Sequence, residues 1–131
     1  MDEKLIVNVG TIEIPVEQLD ESIQFYTEML GLTTLQKGEE SCMLTFNQHG
    51  APNLFLVKSE QFQPLHFESS HIKNNSIIDF YTTDLDTCHR VFSDAGIEVT
   101  SLNKTDSGLG GFGFKDPNGH WLGMHNVSNQ S

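Results

Sequence analysis

The feature that most constrains this 131-residue chain is that its second half restates the pattern of its first. Thr11-Ile12-Glu13 is matched by Ile77-Ile78-Asp79, Leu19-Asp20 by Leu85-Asp86, and Leu30-Gly31 by Ala95-Gly96, in the same order and at similar spacing. Self-similarity of this kind points to two copies of one supersecondary unit. In each copy a β-branched run leads into apolar residues at helical spacing: Leu19, Ile23, Tyr26 and Leu30, then Leu85, Cys88, Phe92 and Ala95. Gly31 and Gly96 stand where a left-handed residue would close each helix. Asp84 is a good N-cap for the second helix, whereas Gln18 is a weak one for the first.

Strand-like runs fall at 7–16, 33–36, 42–46 and 53–57 in the first copy, and at 77–82, 97–100, 112–115 and 120–127 in the second. The cluster Gln48-His49-Gly50-Ala51-Pro52 suits a hairpin connection, and Asp116-Pro117-Asn118-Gly119 is strong turn chemistry. Residues 59–75 are polar, carry Pro64 and lack a sustained period, so they read as a connection. The expected organisation is a single α+β domain over 1–131, with one βαβββ module at 1–58 and a second at 76–131.

Eighteen acidic residues against seven basic ones give a formal charge of −11, which repels phosphate backbones and argues against nucleic acid or an anionic membrane as partner. No segment approaches the roughly 18 uninterrupted apolar residues of a spanning helix. The acidic start and short apolar run that follows it do not resemble an export signal, and Cys42 and Cys88 show no paired spacing. A cytoplasmic setting is expected, and the sequons at Asn103 and Asn126 carry no weight there. Cys88 is better explained as core than as a nucleophile. The glycine-rich run 107–111 precedes a strand and lacks a following Lys-Ser/Thr, which excludes a phosphate loop and suggests a mobile flap.

Two stretches carry a family resemblance. The run from Ile14-Pro15-Val16 through Phe25-Tyr26 to Leu30-Gly31-Leu32 resembles the first βα unit of the vicinal oxygen chelate superfamily, which includes glyoxalase I, bleomycin-resistance proteins and extradiol dioxygenases. Phe112-Gly113-Phe114-Lys115-Asp116-Pro117-Asn118-Gly119-His120-Trp121-Leu122 resembles its final hairpin. The resemblance implies tandem βαβββ modules forming a curved mixed sheet around a cavity, which commonly holds a divalent metal on His and Glu side chains. It also implies a homodimer. The four ligand positions it implies fall on Thr11, on or near Phe55, on Ile77 and on Gly123, none of which is a good ligand.

Strand alternation offers other candidates. Glu13, Asp79 and His125 each lie two residues beyond one of those positions and should face the same way, as should Trp121. Glu13, Phe55, Asp79, Trp121 and His125 are therefore the candidate ligand-binding residues, with Trp121 as an apolar wall beside a vacancy at Gly123. No metal and no cofactor are expected. His49, His66 and His89 are expected on the surface, His89 on the outward side of its helix, and His71 is a candidate for the cavity mouth. The leading expectation is metal-independent binding of a small organic molecule, bleomycin-resistance-like. Two alternatives stay open: a glyoxalase- or dioxygenase-type enzyme with an atypical metal centre involving Glu13 and His125, and a non-catalytic subunit or interaction module.

Overall fold

The computed structural model describes residues 4–70 and 76–128. The chain divides into two compact units, Met1–Phe62 and Gln63–Ser131, whose described residues form one helix and one four-stranded mixed sheet in each. No helix among the described residues is long and apolar enough to cross a membrane.

In the first unit β1 (Thr11–Val16) leads into α1 (Leu19–Glu28), followed by β2 (Thr33–Lys37), β3 (Ser41–Thr45) and β4 (Asn53–Lys58). The sheet order is β1-β4-β3-β2, with β1 parallel to β4 and the other pairs antiparallel. Alternation sorts the side chains. Ile14, Val16, Cys42, Leu44, Leu54 and Leu56 are buried, as are Leu19, Ser22 and Tyr26 of the helix. Glu13 pairs with Phe55, and Phe55 with Met43, placing these three on the helix-free face. Gln18 makes no side-chain cap, as its residue type implies.

β1 is shorter than the 7–16 expected. Its partner β4 begins at Asn53, whose N–H bonds Gly10, and Pro52 before it has no N–H to extend the ladder. Leu5, Ile6 and Val7, 91%, 79% and 78% exposed, therefore have strand propensity without a strand.

The second unit runs β5 (Asp79–Tyr81), α2 (Leu85–Asp94), β6 (Asn103–Lys104), β7 (Gly110–Lys115) and β8 (Trp121–His125). Its order, β5-β8-β7-β6, repeats the first, again with the opening strand parallel to the closing one. The Asp84 side chain accepts the Thr87 N–H and caps α2. The core is aromatic: Phe92 meets Phe114 and Phe112 edge to face, at 5.0 and 5.9 Å between ring centres. Gly119, at φ +86°, closes the turn between β7 and β8, where the Asp116 carboxylate accepts the N–H groups of Asn118 and His120.

The strand expected at 97–100 is reduced to a bridge between Val99 and Phe114, and regular pairing appears only at Asn103–Lys104. The cause is Thr100. Its N–H still donates to the Gly113 carbonyl, but its hydroxyl takes the Gly113 N–H and its carbonyl accepts from His89 Nε2, so the reciprocal ladder bond is replaced by a side-chain one. His89 is thus no outward residue: it is partly buried and lies edge-on to Phe112 at 4.9 Å. β5 starts at Asp79 rather than at residue 77, leaving Ile77 exposed. Part of the expected connection is folded into the second unit, since Leu65 donates to His120 Nδ1 and accepts from the Trp121 N–H.

Candidate functional site

The helix-free face of the second sheet is built in registered rows. Asp79, Gly123 and Gly113 are cross-strand partners in one row, Tyr81, His125 and Gly111 in the next, and Trp121 pairs with Lys115 beyond them. Phe112 and Phe114 point the other way into the core, so Gly111 and Gly113 leave bare backbone on this face. The result is a hollow of about 260 Å³ lined by Ser76, Asp79, Thr100, Asn103 and His125 around a glycine floor.

Two of those glycines are obligatory. A Cβ at Gly110 would fall on the Asn103 carbonyl, and one at Gly111 would lie 2.6 Å from the Met124 carbonyl. Backbone cannot yield as a side chain can. The glycine-rich run expected to form a mobile flap is tied down: Asn126 accepts the Gly110 N–H through Oδ1 and donates to Gly108 through Nδ2.

The polar groups at the rim are oriented. The Ser76 hydroxyl donates to Asp79 Oδ1 at 2.8 Å. His125 Nδ1 accepts the Val127 N–H at 3.1 Å, which in the neutral ring puts the proton on Nε2 and makes that atom a donor. Tyr81 lies beside it, with 6.0 Å between ring centres. Trp121 is half-buried next to the floor, and the Lys115 ammonium sits 5.3 Å from its ring centre.

The expectation of a vacancy at Gly123 is overturned. A Cβ there would land on Asp79 Oδ1 and lie 2.6 Å from the Ser76 hydroxyl. The space is filled by a carboxylate reaching across from the neighbouring strand.

Of the five candidates, Asp79, Trp121 and His125 share this face, while Glu13 and Phe55 lie side by side on the helix-free face of the first unit. His49 and His66 are exposed, and His71 lies outside the described residues. Sequence reasoning missed Ser76, Thr100, Asn103 and the floor itself. The alternation of Gly111 and Gly113 with Phe112 and Phe114 was the available signal. His120, fully buried, holds the Leu65 segment and is structural.

The family model for the Glyoxalase/Bleomycin resistance protein/Dioxygenase superfamily matches residues 8–124. This chain belongs to that superfamily. Its fold recurs in solved structures of low identity. A genomically encoded fosfomycin resistance protein from Listeria monocytogenes aligns with a TM-score of 0.77 at 14% identity, covering 95% of this chain and 97% of the other. A glyoxalase family protein from Enterococcus faecalis gives 0.69 at 21%, covering 91% and 97%. A lactoylglutathione lyase from Agrobacterium tumefaciens gives 0.66 at 19%, covering 90% and 92%. A search of curated proteins finds no significant match.

The metal that superfamily membership implies does not fit the donors here. Phe55 and Ile77 have no ligand atom, Thr11 offers a weak neutral hydroxyl, and position 123 has no side chain. Among the described residues no three His, Cys, Asp or Glu side chains gather into a metal-binding group.

Proposed function

We propose that this superfamily member binds a small organic molecule without a metal, in a bleomycin-resistance-like manner, with the helix-free face of the second sheet as a principal contact surface. The supporting observation is the glycine floor at Gly111 and Gly113, bordered by His125 and by the Asp79 carboxylate that covers Gly123. A bare floor accepts a ligand body, and a few oriented polar groups select it. Trp121 supplies a flat apolar border, and Glu13 and Phe55 form a further candidate contact patch on the first sheet. In this reading the working unit is a cytoplasmic homodimer, since each four-stranded sheet has outermost strands to protect.

The test is a fragment screen followed through the backbone amide resonances of the full chain, repeated with excess chelator. The reading expects binders that shift the amides of Gly110, Gly111, Gly113 and Gly123 equally with and without chelator. Binding that disappears on chelation would favour an enzyme with an atypical metal centre instead.

A further inference from the structure

The charge of the hollow narrows the ligand further. Among the described residues that line it, Asp79 alone carries a formal charge. Its Oδ1 is held by the Ser76 hydroxyl, which fixes the carboxylate over the floor and leaves Oδ2 to accept from a ligand. Among the described residues, the lysines of the same unit are engaged elsewhere: Lys104 bonds Asp86 at 2.9 Å, and Lys115 pairs with Glu98 at 3.4 Å and covers Trp121. His125 accepts the Val127 N–H at Nδ1, which leaves Nε2 facing a ligand. The chain as a whole, at −11, raises the local concentration of cations around this face.

Resting on the binding function proposed above, we propose that the ligand is a compact organic cation carrying an N–H donor, a protonated amine, whose ammonium group is held by Asp79 above Gly123 while its body lies on the floor formed by Gly111 and Gly113. A carboxylate fixed by one hydrogen bond is preorganised for such a partner, and charge-assisted bonds of this kind are about twice as strong as neutral ones. An anionic ligand in the same place would meet the carboxylate and lose its hydration without compensation. The hydroxyl of Ser76 positions the carboxylate and is not itself required to touch the ligand.

Three probes of one shape and different charge separate the possibilities: benzylamine, benzyl alcohol and benzoate, titrated into the full chain and into Asp79→Asn. The asparagine keeps an oxygen for the Ser76 hydroxyl, so the substitution removes charge without removing that bond. Benzylamine is expected to shift the amides of Gly110, Gly111, Gly113 and Gly123, to bind more tightly than the alcohol, and to lose about tenfold or more in affinity in Asp79→Asn. Its binding to the unaltered chain should also weaken with added salt, a readout that needs no variant. The alcohol should be indifferent to the substitution, and benzoate should leave the glycines unmoved. If the alcohol or benzoate binds there as well as the amine, or if neither salt nor Asp79→Asn affects the amine, the cation proposal falls while the small-molecule reading stands. If none of the three perturbs the glycine amides, both fall.

Discussion

Gly123 and Asp79 form a unit that neither residue reveals alone. Because the Asp79 carboxylate lies where a Cβ at position 123 would sit, Gly123→Ala must push that carboxylate aside and break its bond to Ser76. The obstacle is the end of a flexible side chain, so the expected cost is modest, about 1 kcal/mol. In an Asp79→Gly background the same substitution should cost clearly less, a coupling measurable by a denaturation cycle; strictly additive effects would show that the two do not share the space. Gly110→Ala meets the Asn103 carbonyl instead and should cost about 3 kcal/mol, seen as a drop in the denaturation midpoint. Glu13, Asp79 and His125 were placed on the helix-free faces by parity alone, because a strand with one face packed on a helix cannot slip by a residue. What parity could not give was the direction of reach: a short acid beside a glycine fills its neighbour's place, and only cross-strand register shows it.

At the level of elements, both helices were legible because their apolar spacing and closing glycines agree. Gly31 and Gly96 do adopt positive φ, at +76° and +82°. Strand limits were less legible where tertiary partners decide them. Residues 7–9 have strand propensity but no partner strand, and at Thr100 the hydroxyl takes the Gly113 N–H that a regular ladder would send to its carbonyl. The α2 cap gives a pH-dependent prediction. The Thr87 hydroxyl and then its N–H, with Arg90 adding, hold the Asp84 carboxyl below its ordinary value of 3.8. A depressed value means that the cap stabilises the fold above the ordinary carboxylate range and loses that effect as pH falls through the lower, folded-state value. Asp84→Ala should therefore melt a few degrees below the unaltered chain at neutral pH, with the gap closing in strong acid and with Asp84→Ser falling between them. A gap independent of pH would assign the effect to something other than the ionised cap.

For the whole molecule, the duplication, the acidic balance and the superfamily were all readable from sequence, since each is spread over many residues. The proposed ligand surface was not, because it is made by side chains that are absent, at glycines on alternate positions of β7. The homodimer proposed here predicts a mass of twice the chain by light scattering across a dilution series, and a constant single-chain mass would remove it. The claim on which the functional account turns is independence from metal. Thr11, Phe55, Ile77 and Gly123 cannot reproduce a His/Glu coordination sphere, and a tightly held catalytic ion needs about three protein ligands. Elemental analysis of protein purified without a histidine tag tests this most directly. The account predicts far less than one equivalent of zinc, nickel, iron or manganese per chain; about one equivalent, lost on Glu13→Gln or His125→Ala, would contradict it.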